Sequence, residues 1–374
     1  MSSTNSGWTG EEPFKLPKPG DFHKTITMAT IAKAVGVSQG AISSLLNDRD
    51  YGIRVSDKTR EKVFKVCREM GYIPNDLRAI VRMYPEMGDL CLLASLDIGD
   101  IARHPFYSRI ISASMAVMPP PSHQISLARY DVAADYNAKP ELLPQPIQAG
   151  TASKFILIGT PNPSLCQAIV SRGFPVTVLG SEVALPGVTS ILPDYAEASR
   201  TAVEYLFKLG HTHLAILSGS FGSTDYSTIE LNRGVRAAYE KVNIPIEAQN
   251  IIYGDLAFKN GFNAAETLLG RQPQPTAFFC LSDVSAAGVF ANAQTRGLKI
   301  PSDLSILGCS DDTVVDYVQP AMTTVHLPAE EMTDECLKEI LRRIKDPDAG
   351  LVETKKIVMP VRLIERESCA KPRA

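Results

Sequence analysis

Near the amino end the hydrophobic positions recur at helical spacing, and further along they gather into short blocks separated by amphipathic stretches. Met28, Ile31, Ala32 and Val35 stand at i, i+3, i+4 and i+7, with Thr27 placed as an N-cap and Gly36 as a C-cap. After Val37, Ser38 caps a second helix whose Ile42, Leu45 and Leu46 share one face, while Gln39, Gly40, Ser43, Ser44 and Asn47 point the other way. A third helix starts at Ser56, packs through Val63, Val66, Cys67 and Met70, and stops at Gly71 with Pro74 beyond. From about Gly88 the apolar runs are Leu90–Leu96, Ile125–Tyr130, Phe155–Gly159, Pro175–Leu179, Leu214–Ser218, Ala277–Leu281 and Leu304–Gly308. Helices are predicted between them at Phe106–Met118, Ser164–Arg172, Ala196–Leu209, Ile229–Val242, Ala286–Arg296 and Glu330–Ile344. Strand and helix alternating in this way imply parallel sheets covered on both faces, and about 280 residues is long for one such sheet, so two lobes are expected.

Composition agrees with a globular chain of two or three domains: 374 residues, 44% hydrophobic and 21% charged. No run reaches about 18 consecutive apolar residues, so no membrane span is expected. Residues 1–23 mix Ser, Gly, Pro and charge around Trp8 and read as a flexible tail without a signal-peptide h-region. Seven dispersed cysteines without a C-x-x-C pair fit reduced thiols in a cytoplasmic protein. The net charge of −3 argues at first against a nucleic-acid partner. It is a cancellation: Lys24 to Arg82 carries +5, the tail −1 and the remainder −7. A basic segment of about sixty residues fused to an acidic body is the asymmetry expected when one end meets phosphates and the other does not.

Two short helices across a tight glycine turn make a helix-turn-helix. The outward face of the second is small and bears amides and hydroxyls, which suits entry into a major groove, where Gln or Asn pairs with adenine edges. On the third helix Lys58, Arg60, Lys62, Lys65 and Arg68 face away from the core, and one or two of them are expected on phosphates. The body holds no G-x-x-x-x-G-K-[ST], G-x-S-x-G or H-E-x-x-H sequence. Gly219 to Ser223 is Gly/Ser-rich but lacks the lysine of a phosphate loop, and His211 and His213 favour a structural role over metal binding. Asp311 and Asp312 read as loop carboxylates rather than an acid–base pair. No cofactor, metal site or catalytic residue is expected. A two-lobed small-molecule-binding protein or enzyme without a DNA role is the competing reading.

The ordered series Ile26-Thr27-Met28-Ala29-Thr30-Ile31-Ala32, Gly36-Val37-Ser38, Ile42-Ser43-Ser44-Leu45-Leu46-Asn47, Val55-Ser56-Asp57-Lys58-Thr59-Arg60 and Gly71-Tyr72-Ile73-Pro74-Asn75 resembles the amino end of the lactose-repressor family of bacterial transcriptional regulators. The resemblance continues through Leu209-Gly210-His211, Asn232-Arg233-Gly234, Gly297 to Ile306 and Pro320 to Val325. It implies a small all-α helix-turn-helix head and an α/β body of two Rossmann-like lobes, similar to periplasmic sugar-binding proteins and joined by three crossings.

By position, the resemblance makes Thr27, Ser38, Ser43 and Asn47 phosphate or groove contacts, and Gln39 and Gly40 the first outward residues of the recognition helix. Ser44 stands where the family usually has Arg, the residue best suited to guanine, and Ala41 replaces a usual Thr. Asn75, Arg78 and Val81 fall on a hinge helix in which Val81 takes the place of a minor-groove leucine wedge. For the effector the implied residues are Ser95, Phe106, Tyr107, Arg233, Leu256, Ser282, Asp283, Ser310 and Asp311. Among these, Arg233 occupies the position of an arginine that grips a polar ligand, while Leu256 replaces an aromatic platform for a sugar ring. The expected layout is a tail at 1–23, a head at 24–74, a hinge at 75–87, a body at 88–368 and a tail at 369–374. Lobe one is placed at 88–193 plus 322–345, and lobe two at 194–321 plus 352–368. The implied partners are near-palindromic double-stranded operator DNA, a small polar effector such as a sugar or sugar derivative, and a second copy of the chain, with no membrane.

Overall fold

In a computed structural model, the residues described are 26–47, 55–70, 72, 81, 88–95, 105–117, 124–220, 222–223, 225–345 and 352–373. The chain divides into two compact units, 1–87 and 88–374. Among the described residues no helix is long and apolar enough to cross a membrane.

The first unit contains α1 (Met28–Val35), α2 (Gln39–Asn47) and α3 (Asp57–Met70). Local chemistry sets the ends of α1. Thr27 Oγ1 accepts from the Thr30 amide at 3.2 Å, and Gly36 leaves the helix at φ 83°, returning its own N–H to Ala32 O at 2.9 Å. Ser38 Oγ then accepts from the Ala41 amide at 3.1 Å and caps α2. Ile31, Ile42, Leu46, Val63 and Cys67 form the buried centre, and Lys62 Nζ ties α3 to the end of α1 through Val35 O at 3.0 Å.

The second unit holds two six-stranded sheets. In chain order its elements are β1 (Asp89–Ala94), α4 (Pro105–Val117), β2 (Ile125–Arg129), α5 (Gln145–Ala149), β3 (Ala152–Ile158), α6 (Pro163–Val170), β4 (Val176–Leu179), β5 (Val188–Pro193), α7 (Tyr195–Leu209), β6 (Leu214–Ser218), α8 (Tyr226–Lys241), β7 (Ile251–Tyr253), α9 (Phe258–Leu269), β8 (Ala277–Cys280), α10 (Asp283–Thr295), β9 (Ser305–Ser310), β10 (Thr323–His326), α11 (Ala329–Lys345), β11 (Lys355–Met359) and β12 (Arg362–Ile364). Lobe one has the order β11-β5-β4-β3-β1-β2, all parallel, and lobe two β12-β10-β9-β8-β6-β7, parallel except for β10 against β12.

This topology corrects the expected lobe limits. Residues 323–326 were expected in lobe one, but Thr323 pairs with Leu307 and Val325 with Cys309, so β10 belongs to lobe two. Residues 355–359 were expected in lobe two, but Lys355 pairs with Thr189 and Met359 with Pro193, so β11 closes the sheet of lobe one. The chain therefore crosses between the lobes after β5, after β10 and after β11, three times in all.

Helix α9 was not among the predicted helices, although Gly261, Ala264, Ala265, Leu268 and Leu269 form a buried stripe at helical spacing; three of the five are only glycine or alanine, so the stripe carries a weak apolar signal. Gly261 lies against α10, where a Cβ would stand 1.9 Å from Ser285 O, and a Cβ on Gly288 would stand 2.1 Å from Phe258 O. Two glycines thus let α9 and α10 approach backbone to backbone. Gly288→Ala is expected to force them apart at a cost of about 1–3 kcal/mol and to lower the unfolding midpoint of the body by roughly 2–10 °C. Calorimetry checks this, and an unchanged midpoint contradicts it.

Candidate DNA-binding head and inter-lobe cleft

On the head, Thr27, Ser38, Gln39 and Gly40 are exposed, while Ser43 and Ser44 are half-buried on α2 beside the buried Ala41. The oxygens of Thr27 and Ser38 cap helices; Thr27 Oγ1 also shares a hydrogen bond with Thr30 Oγ1 at 3.0 Å, while the Ser38 hydroxyl can turn its hydrogen to a phosphate at the helix amino end. Of the basic residues on α3, Lys62 is committed to Val35 O, and Lys58, Arg60, Lys65 and Arg68 are exposed. Asn47 is the last residue of α2, and its side chain lies outside the described residues, as do Asn75, Arg78 and the loop at 48–54. Val81 is helical and buried, so service as a groove wedge requires it to be uncovered on DNA.

In parallel sheets ligands meet the carboxyl ends of strands. In lobe one, Ser95 follows β1, and its Oγ accepts from the Thr160 amide at 2.9 Å beyond β3. Phe106 and Tyr107 open α4, their rings edge to face at 5.8 Å. At the first crossing Tyr195 donates its hydroxyl to Gly180 O at 3.2 Å, and its ring meets Tyr226, at the start of α8 in lobe two, at 6.4 Å. Burial, followed by the nearby Asp225 carboxylate, pushes the Tyr107 phenol well above its ordinary range. Tyr107 of lobe one therefore sits close to the N-cap of α8 in lobe two. Lys356 on β11 pairs with Glu182 at 2.5 Å and donates to the Tyr226 hydroxyl at 3.4 Å. Four aromatic rings and a lysine thus gather where the lobes face each other. Phe106 and Tyr107 were among the expected residues; Tyr195, Tyr226 and Lys356 beside them were not, although both tyrosines directly follow an N-cap, Asp194 and Asp225.

The other expected effector residues separate. Leu256 is half-buried and packs on the same apolar cluster as Tyr107 and Tyr226. Ser282 caps α10 through the Val284 amide at 3.2 Å. Two of the expected residues differ sharply in burial. Arg233 is 67% exposed and ion-paired with Glu230 one turn earlier on α8, and helical phase turns it away from the buried Leu231, Val235 and Ala238. Asp283 is fully buried, with its carboxylate taken by the Thr324 hydroxyl at 2.6 Å and the Asp312 amide at 2.9 Å. Burial, reinforced by the charge of Asp312, pushes Asp283 up to about 7.

Ser310 and Asp311 lie at the end of β9 with φ of 134° and 58°. Asp311 bonds His326 Nδ1 at 2.9 Å and Arg366 at 2.8 Å, and the His326 hydrogen bond is the main cause that holds its carboxyl down at about 2. Asp312, expected as a loop carboxylate that faces water or caps a helix, stands at the N-cap position of the short 3-10 turn at 313–316 and is 2% exposed, and burial raises it to about 6 against the pull of Arg109. His211 is buried and bonds Thr276 Oγ1 at 2.9 Å and Ala370 O at 2.7 Å, pinning the carboxyl-terminal segment. No cluster of three or more His, Cys, Asp or Glu suited to a metal occurs among the described residues.

Residues 27–75 match the family model for bacterial regulatory proteins, lacI family, and residues 203–369 match the periplasmic binding protein-like domain. The chain is 31% identical over 350 residues to the HTH-type transcriptional regulator DegA of Bacillus subtilis strain 168, covering 91% of this chain and 97% of DegA. It is 28% identical to the HTH-type transcriptional repressor CytR of Escherichia coli K12, covering 87% of this chain and 91% of CytR. Among solved structures, a complex of the regulator CelR with cellobiose superposes with a TM-score of 0.63 at 24% identity, covering 92% of this chain and 99% of that one. A lacI-family regulator from Enterococcus faecium with bound ribose gives a TM-score of 0.63 at 22% identity, covering 76% and 100%. With the helix-turn-helix at one end and the two-lobed body at the other, the chain belongs to the lacI family of bacterial regulatory proteins and is a DNA-binding transcriptional regulator.

Proposed function

We propose that the chain acts in the cytoplasm as a homodimeric repressor: two heads, residues 24–74, hold the half-sites of a near-palindromic operator, and a small polar ligand between the lobes biases that grip. It works by binding and not by catalysis. The observation that carries the DNA half is the exposed amino end of α2, where Ser38, Gln39 and Gly40 stand clear of the core with no large side chain to block a groove. For the ligand half the support is the group of Phe106, Tyr107, Tyr195 and Tyr226 with Lys356, drawn from both lobes: the half-buried Tyr107 and Tyr226 offer rings and hydroxyls to an oxygen-rich molecule, backed by the buried Phe106 and Tyr195. A ligand that prefers one lobe arrangement shifts DNA binding by its differential affinity for the two.

The half-buried Ser44 cannot span guanine O6 and N7 as an arginine does, so the operator is read through Gln39, phosphates and DNA shape. Selection from random DNA should return a near-palindrome without a guanine requirement at the Ser44 position, bound with a steep salt dependence. Ser44→Arg is expected to add a guanine preference worth about 1–3 kcal/mol there. A strong guanine requirement in the natural chain that Ser44→Ala abolishes refutes this readout, and the absence of salt-sensitive, sequence-preferring binding refutes the operator reading itself.

A further inference from the structure

We propose that Arg109 is a latch between the two lobes, a positioning residue on lobe one that holds the end of β9 in lobe two and the connection after β10 in a single arrangement. Its guanidinium donates to Ser310 O at 2.8 Å in lobe two and to Leu327 O at 3.2 Å on the connection. The fork is aimed by Glu330 of α11, which takes Nε at 2.8 Å and Nη2 at 2.5 Å, and it lies 3.6 Å from Asp312. Only 14% of the Arg109 side chain is exposed. Planar bidentate pairing leaves the remaining N–H groups pointing in fixed directions, which a lysine cannot reproduce.

The segment that Arg109 holds is one that would relax if released. Ser310 and Asp311 both occupy the left-handed φ region without being glycine. Ser310 O also accepts from the Leu327 amide at 3.3 Å, so one carbonyl joins the end of β9, the connection and lobe one. Two buried atoms nearby make no hydrogen bond: Asp312 Oδ1, which has Arg109 Nη1 at 3.6 Å, and His326 Nε2, which has Glu331 Oε1 at 3.8 Å. Buried and unsatisfied groups favour an alternative arrangement in which water reaches them. A cavity of about 340 Å³ lined by Arg109, Asp312, His326 and Arg366 gives the segment room to move. Strain, incomplete hydrogen bonding and free space press toward opening, and the bonds of Arg109 and its pairing with Asp312 oppose it.

Lobe coupling needs neither DNA nor effector, so hydrogen–deuterium exchange on the full chain without either tests the latch separately from operator binding. In Arg109→Ala the peptides covering 309–313 and 326–330 should exchange at least tenfold faster, while those covering β3 and β8 in the lobe cores stay unchanged. Arg109→Lys retains a charge near Asp312 and Glu330 without the two-carbonyl fork, and should fall between wild type and Ala. The same graded, local pattern from Arg109→Lys upholds the latch if the alanine variant fails to fold. Unchanged exchange in both segments, or an equal rise throughout both lobe cores, overturns it.

Discussion

Ile42→Ala is expected to weaken operator binding at least tenfold while leaving the body folded. Ile42 is fully buried on α2, in a head whose core contains Ile31, Leu46, Val63 and Cys67. Truncating a buried isoleucine costs about 2–5 kcal/mol, from lost transfer free energy plus the cavity left behind. A unit of roughly fifty folded residues has only about 2–8 kcal/mol of stability to lose. The recognition face depends on that core, because Gln39 and Gly40 are aimed by the packing of Ile42, Leu45 and Leu46 behind them. Residues 88–374 form a separate compact unit, so their unfolding transition should keep its midpoint. Gel-shift titration on a selected operator, with thermal unfolding followed by circular dichroism, reads both halves. Near-wild-type affinity would show that the head tolerates the cavity, and a lowered body transition would show that the units do not unfold independently.

What the sequence made legible follows the range of the interactions involved. The ends of α1 and α2 are written in Thr27, Gly36 and Ser38, whose partners lie within four residues, and the head was readable almost to the residue. The assignment of β10 and β11 to lobes was not readable, because Val325 and Cys309 or Lys355 and Thr189 meet only once both sheets exist. Asp283 looked like a ligand-facing carboxylate beside a strand end, but its burial depends on Thr324, 41 residues away. Arg233 is a different case: the phase of Leu231, Val235 and Ala238 already turned it away from the core, so its exposure was there to be read in the sequence. Arg109 carries no local signal, since it stands in an ordinary amphipathic helix and its partners begin about 200 residues later.

The pH dependence of body stability should separate Asp283→Asn from the natural chain. Burial, with the Asp312 charge adding to it, places the native carboxyl at about 7, against about 3.9 in an unfolded chain. A raised carboxyl means that the folded state binds the extra proton between those limits. Its contribution to stability is therefore fully present below about pH 4 and is lost as pH rises through about 7, at about 1.4 kcal/mol per pH unit. The asparagine keeps the geometry: its oxygen accepts from the Asp312 amide, and its NH2 donates to Thr324 Oγ1, which turns its hydrogen elsewhere. His211, lowered by burial, pulls in the opposite direction but remains in the variant and cancels in the difference; Asp312, raised by burial to about 6, pulls in the same direction, and because its charge and that of Asp283 repel each other, removing the Asp283 carboxyl eases Asp312 and adds to the variant's gain. Asp311, held at about 2, titrates below the window. Urea unfolding of the full chain at pH 5, 6, 7 and 8 should show the variant gaining about 3 kcal/mol on wild type from the lowest pH to the highest. Parallel curves would mean that Asp283 is already ionised in its site at pH 5, with the bonds from Thr324 and the Asp312 amide outweighing its burial.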